Sequence, residues 1–161
     1  MKPPIPLYST ALAVRLLAES FATERGYCPK TLVTMCSTVS AGLVVALCAK
    51  GFEASMVAGY FDDGGPQPWG HFWVEVITVS DLGDPIVWIV DVTATQFADW
   101  ASRCRPRVVT IARYDVGNGK RYRLTETNDE RVDAMIQPHD WDDVAEFRRR
   151  SGLVRWIREA A

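Results

Sequence analysis

The chain has 161 residues, of which 48% are hydrophobic and 24% charged, and its formal net charge at pH 7 is −2. This length suits one core, so we expect residues 1–161 to form a single domain. The small net charge gives no general attraction to nucleic acid, and no apolar run approaches the roughly 20 residues of a membrane span. Prolines, Arg15 and Glu19 interrupt any apolar leader near the N-terminus, which predicts a cytoplasmic protein.

The first third of the sequence predicts two helices. Residues 9–24 carry leucines and a phenylalanine at helical spacing, and Gly26 follows as a stop signal. From Cys36 to Lys50 the apolar residues recur with a period of 3.6, and Gly51 is a typical C-terminal cap. The second helix is expected to be mostly buried.

Beyond Gly51 the hydrophobic pattern changes to the period of two that is typical of strands. Residues 71–79 and 86–94 predict an antiparallel hairpin, because a short polar turn joins them. We therefore expect an α+β fold in which N-terminal helices pack on an antiparallel β-sheet and a helix closes the chain. The remaining predicted elements are strands at 52–61, 107–114 and 120–126, a turn-rich loop at 62–70, a short helix at 95–104 and a helix at 140–161.

Cysteine chemistry is the first functional indication. Four cysteines, Cys28, Cys36, Cys48 and Cys104, are expected to be free thiols, since a cytoplasmic domain of this size needs no disulfides. Cys36 stands at a predicted helix N-terminus, where the aligned peptide dipoles stabilise a thiolate. Cys48 lies within the apolar run and is expected to be a small core residue. Cys36 is therefore the candidate nucleophile.

A thiol nucleophile needs a histidine and a group that orients it. His71 opens a predicted strand behind the glycine-rich loop, whereas His139 lies in a polar turn, so His71 is the better candidate base. Asp91 interrupts an apolar strand, where burial of a carboxylate is costly without a partner. Antiparallel pairing of the two strands brings His71 and Asp91 together, and a hydrogen bond between them would satisfy the carboxylate.

Three blocks of the sequence, "CSTVSAGLVVALCAKGFEASMVAGY", "GHFWVEV" and "WIVDVT", resemble in this order the core of the transglutaminase-like superfamily of papain-fold cysteine enzymes. In that family the nucleophilic cysteine begins a helix, the histidine precedes a Trp-Val-Glu strand, and the aspartate precedes a threonine. The resemblance covers about residues 28–97. The matching positions are Cys36, Gly51, Ala54, Gly59, His71, Trp73, Glu75, Asp91 and Thr93.

The resemblance implies thioester chemistry on a protein or peptide amide, with Cys36, His71 and Asp91 as a catalytic triad and with neither a metal nor an organic cofactor. The small domain favours hydrolysis, as in a cysteine protease or a glutamine deamidase. Transglutaminase crosslinking and a catalytically silent binding module are the alternatives.

Three further features have two interpretations each. Trp69 and Gly70 beside His71 are candidate substrate-channel residues, whereas Trp73 is expected in the core. A zinc site of Cys28, Cys36, Cys104 and a histidine lacks the close ligand pairs that such sites use. The arginine-rich C-terminal tail fits a solvated helix face better than a docking surface.

Overall fold

The structure is a computed structural model that describes residues 1–97, 108–115 and 121–154. These residues form an α+β fold in which helices precede and follow a five-stranded sheet. Among them, no helix is both long and apolar enough to cross a bilayer. The elements are α1 (Ile5–Arg25), α2 (Cys36–Cys48), β1 (Glu53–Phe61), β2 (Trp69–Val79), β3 (Pro85–Asp91), β4 (Val109–Ala112), β5 (Tyr122–Glu126), α3 (Asp129–Ala134) and α4 (Trp141–Gly152).

The sheet has the strand order β4-β3-β2-β1-β5, and each neighbouring pair is antiparallel. The predicted hairpin is present as β2 and β3, in a register that sets Val74 opposite Val90. Strand β1 pairs with β5 through an irregularity between Ala58 and Gly59. Strand β1 therefore lies between β2 and β5, and it alone separates the first residues of those two strands.

Several element boundaries differ from those predicted. Helix α1 begins at Ile5, and a proline fits its first turn because the backbone N–H groups there have no hydrogen-bond partner within the helix. Strand β3 ends at Asp91, and a 3-10 turn at Ala94–Gln96 replaces the end of the predicted strand and the start of the predicted helix at 95–104. Helix α3 was not predicted; it is six residues long and capped by Asn128. Residues 98–104 and 155–161 of the predicted helices lie outside the described residues.

The two faces of the sheet bury different sets of side chains, as the alternation along strands requires. Helices α1 and α2 cover one face, against Val74, Val76 and Trp88. The opposite face carries an aromatic cluster that includes Trp73, which is fully buried as predicted, and Tyr122. His71 is two residues before Trp73 on β2 and therefore belongs to the aromatic face.

Helix α4 packs closely against α2, and its side chains approach the backbone of α2 at Gly42. A Cβ atom added at Gly42 of α2 would lie 2.3 Å from Phe147 Cδ1 and 2.4 Å from Ser151 Oγ. Phe147 also packs edge-on against Phe21 of α1, with ring centroids 5.3 Å apart. The three helices thus form one packed layer, which fixes the direction of α2 and the position of its first residue, Cys36.

Candidate active site

Cys36, His71 and Asp91 come together at the N-terminus of α2. His71 donates from Nε2 to Asp91 Oδ2 over 2.7 Å, and both side chains are fully buried. The side chain of Cys36 lies beside the His71 ring and interacts with it closely enough to raise the pKa of the imidazole. Because Nε2 is engaged by the carboxylate, Nδ1 is the ring nitrogen left to face the thiol. The structure thus contains a continuous contact chain from sulfur through imidazole to carboxylate.

Cys36 is the first residue of α2, where backbone N–H groups have no helical partner. Met35 supplies no side-chain cap, and the first turn contains no acidic residue, so no anionic group competes for these donors. The thiol is partly exposed. A partly exposed thiol on the positive end of a helix dipole is a setting that stabilises a thiolate.

The loop before Cys36 holds two non-glycine residues in left-handed backbone conformation, Leu32 at φ 52° and Thr34 at φ 69°. Such conformations cost about 1–3 kcal/mol each. Burial of Leu32 and Met35 in the core offsets this cost, since both side chains are at most 2% exposed. The strained loop leads the chain into α2 with the Cys36 thiol facing His71.

Arg15 of α1 ties together the segments on both sides of the site. Its buried guanidinium donates over 2.7 Å to the backbone carbonyls of Lys30 and Val92 and to Thr95 Oγ1. It also pairs with Glu19 over 2.9 Å. One side chain therefore links the loop that leads to Cys36 with the segment that follows Asp91.

The Asp91 carboxylate accepts four hydrogen bonds. Oδ1 accepts from the backbone N–H of Thr93 at 2.8 Å and from its hydroxyl at 3.0 Å, while Oδ2 accepts from His71 at 2.7 Å and from the Tyr122 hydroxyl at 2.8 Å. Burial acts to raise the pKa of Asp91, but the charge of His71 and these hydrogen bonds hold it below its ordinary value. Asp91 is therefore ionised and acts only as an acceptor.

The imidazole of His71 lies among aromatic rings. Burial acts to lower its pKa, but the charge and hydrogen bond of Asp91, together with contact with Cys36, raise this pKa to about 10. The ring is accordingly protonated at neutral pH, and an imidazolium in contact with sulfur favours the thiolate. The ring centroids of Phe61, Trp73, Phe97 and Tyr122 lie 5.0–6.3 Å from that of His71.

Cys36 opens into a cavity of about 500 Å³. Trp69 and Gly70, the predicted substrate-binding residues, both line this cavity, and the side chain of Trp69 is largely exposed. The Trp69 indole N–H donates to Asp63 Oδ2 over 2.9 Å, which ties the ring to the loop before β2. The other lining residues are Val33, Thr34, Gln96 and Phe97. A largely apolar cleft with a few polar groups beside a thiol is the form of a small-molecule or peptide site.

Two residues that were not predicted from the sequence form hydrogen bonds to the triad. Tyr122 reaches Asp91 from β5, and Gln96 Nε2 lies 3.3 Å from both His71 Nδ1 and Thr93 Oγ1. Gln96 lies five residues after Asp91, so its position as a polar residue just beyond the strand could have indicated that it lies near the site. No local signal marked Tyr122, because only the pairing of β5 with β1 brings it to the site.

The other cysteines and the second histidine lie away from these contacts. The prediction that Cys48 is a core residue is wrong: it is exposed at the last position of α2, whereas its neighbour Leu47 is the residue of that turn that faces the core. Cys28 is exposed, and a hydrogen bond from the Thr31 side chain lowers its pKa. His139 is exposed before α4.

The three described cysteines, Cys28, Cys36 and Cys48, are free thiols. Within the described ranges, no three His, Cys, Asp or Glu side chains are grouped so as to hold a metal ion. Cys104, the remaining residue named for a zinc site, lies outside these ranges.

Comparisons with family models, with curated proteins and with solved structures give no match to this chain.

Proposed function

We propose that this protein is a cysteine-dependent acyl-transfer enzyme that acts on protein or peptide amides through a thioester and most readily transfers the acyl group to water. Under this proposal it is a cysteine protease or a glutamine deamidase with a papain-like, transglutaminase-like core. The observation that carries the proposal is the contact chain of Cys36, His71 and the buried Asp91 beside an open cleft.

Acylation begins from the thiolate of Cys36 and the imidazolium of His71. The sulfur attacks the amide carbonyl carbon, and the carbonyl electron pair moves to oxygen to give a tetrahedral oxyanion. When this intermediate collapses, the C–N bond breaks and the proton on His71 Nδ1 passes to the leaving nitrogen. Asp91 keeps the other ring nitrogen protonated and stabilises the imidazolium.

Deacylation uses the same groups in the reverse roles. His71, now neutral, removes a proton from water, whose oxygen attacks the thioester carbon and releases a carboxylic acid and the Cys36 thiolate. Release of ammonia in the first half-reaction makes the enzyme a deamidase, and release of an amine makes it a protease. A lysine amine in place of water gives a crosslink, which is the alternative outcome.

The compartment follows from the same chemistry. A thiolate nucleophile and free thiols at Cys28 and Cys48 suit a reducing environment, and we place the protein in the cytoplasm.

The test is turnover of glutamine-containing peptides, with ammonia release and peptide-bond cleavage measured in parallel. Wild type is expected to give one of these products, Cys36→Ala to give none while remaining folded, and Cys48→Ala to match wild type. Incorporation of a lysine analogue instead of hydrolysis indicates crosslinking. Full activity in Cys36→Ala rejects this mechanism, and a folded wild-type protein with an inert Cys36 is a silent binding module.

A further inference from the structure

We infer that the side-chain amide of Gln96 donates a hydrogen bond to the oxyanion of the tetrahedral intermediate, opposite the N–H groups at the start of α2. The inference rests on the proposed acyl transfer, because it assigns the second oxyanion donor for that reaction. It starts from the two contacts of Gln96 Nε2, each 3.3 Å long, with His71 Nδ1 and Thr93 Oγ1.

The hydrogen-bond network fixes which way the Gln96 amide points. The Thr93 hydroxyl donates its only proton to Asp91 Oδ1, which is an ionised acceptor. Thr93 Oγ1 can then only accept, so Gln96 must present its NH2 group to it. One of the two amide N–H groups is used there, and the other points towards His71 Nδ1.

The second N–H has a partner only when His71 is neutral. A neutral ring that donates from Nε2 to Asp91 has a lone pair on Nδ1, which accepts from Gln96. When His71 is protonated, Nδ1 carries a hydrogen and cannot accept. Because the pKa of His71 is about 10, the charged ring dominates at neutral pH. The Gln96 N–H is then a polar donor without a ring acceptor, beside the anion that forms at Cys36.

The position of Gln96 suits an oxyanion in the cleft. Gln96 and Cys36 line the same cavity, and Gln96 is the last residue of the 3-10 turn Ala94–Gln96. Its backbone N–H donates to Thr93 O over 3.0 Å, and Arg15 holds the preceding residue, Thr95. A substrate oxygen between the α2 N-terminus and this amide receives donors from two directions, as a preorganised oxyanion site requires.

Gln96 acts in this reaction as a hydrogen-bond donor and transfers no proton. The S–C bond forms as the carbonyl π pair moves to oxygen, and Gln96 shares its N–H with that oxygen. When the intermediate collapses, the oxygen re-forms the carbonyl, the C–N bond breaks and His71 supplies the proton to the leaving nitrogen. Gln96 keeps both of its amide protons throughout.

Two reagents separate this role from simple positioning of His71. p-Nitrophenyl acetate acylates a thiolate through a tetrahedral oxyanion, whereas iodoacetamide alkylates it at a saturated carbon with no oxyanion. In full-length Gln96→Met, the nitrophenolate burst at Cys36 is expected to slow about 100-fold or more, the usual effect of losing one oxyanion donor. The alkylation rate of Cys36 and its pH profile are expected to match wild type.

Two further variants complete the design. Gln96→Leu removes the same donors with a different shape and is expected to give the same difference between the reagents, while the surface change Gln137→Met is expected to alter neither rate. Equal slowing of both reactions in the Gln96 variants makes Gln96 a positioning residue and overturns the inference, as does an unchanged acylation rate. Failure of wild-type Cys36 to react with either reagent instead rejects the proposed function and this inference with it.

Discussion

Replacement of Asp91 by asparagine tests the electrostatic basis of the site. The asparagine has nearly the same shape, but it has no charge, and one of its two terminal groups is a donor. If its oxygen keeps the hydrogen bonds from Thr93, its NH2 group faces His71 Nε2, where the carboxylate oxygen accepted before. This arrangement forces the proton of a neutral ring onto Nδ1 and removes the lone pair that takes the Cys36 proton.

The size of the effect follows from the balance at His71. Burial lowers the pKa of the ring, and the charge and hydrogen bond of Asp91 raise it to about 10. Without the charge, burial prevails and the pKa falls below its ordinary 6.5. Since each pKa unit corresponds to about 1.4 kcal/mol, the net rise from 6.5 to about 10 favours the protonated ring by on the order of 5 kcal/mol, and Asp91 provides the largest of the contributions that outweigh burial. Turnover is expected to fall roughly 10⁴-fold, as in serine proteases that carry the equivalent change.

NMR titration of the histidine ring C–H signals measures this balance directly. The wild-type His71 signal is expected to stay constant from pH 5 to 8, and in Asp91→Asn it is expected to change with a midpoint below 6.5. The exposed His139 supplies a reference signal in the same spectra, and Asp81→Asn, at the exposed hairpin turn, controls for loss of one negative charge. Equal His71 midpoints in wild type and Asp91→Asn would refute the reasoning.

The remaining predictions concern stability, measured by urea denaturation. Tyr122→Phe removes one hydrogen bond to the Asp91 carboxylate and is expected to lower the free energy of unfolding by about 1–3 kcal/mol. An unfolding free energy equal to that of wild type would show that the hydroxyl contributes little. Arg15→Met removes the buried or partly buried hydrogen bonds to the Lys30 and Val92 carbonyls and to Thr95 Oγ1 and is expected to cost about 3–5 kcal/mol, whereas an unchanged midpoint would contradict its linking role. Gly42→Ala drives a methyl group into α4 and is expected to cost about 1–3 kcal/mol; wild-type stability would mean that α4 yields freely. Because the folded-state pKa of His71 is raised from 6.5 to about 10, its contribution to stability is complete below about pH 6.5 and is lost as the pH rises towards 10; a loss of stability from pH 6 to 9 that is as large in Asp91→Asn would contradict this.

The sequence predicted the features that depend on local pattern and on one hairpin. The helix that begins at Cys36 follows from its 3.6-residue period and from the stop at Gly51, whose φ of 83° suits glycine. The proximity of His71 and Asp91 follows from antiparallel pairing of two adjacent strands, which leaves little freedom in register when one face is buried.

The features that the sequence did not predict depend on distant parts of the chain. Tyr122 reaches Asp91 because β5 pairs with β1, and Gly59 permits that pairing: a Cβ atom there would lie 2.1 Å from the backbone oxygen of Arg123. Arg15 bonds mainly to backbone carbonyls, which no residue pattern reveals. The exposure of Cys48 depends on which neighbours cover the last turn of α2, and its apolar surroundings in sequence give no information on that.

Modification of Cys36 by iodoacetamide, resolved by peptide mass spectrometry across pH, tests most directly whether sulfur and imidazole act as one nucleophile. Cys28 and Cys48, both exposed, are internal comparators in the same sample. We predict that Cys36 reacts faster than Cys48 across this pH series, and that His71→Gln removes this advantage without altering the rate at Cys28. An identical Cys36 profile in wild type and His71→Gln would contradict the account.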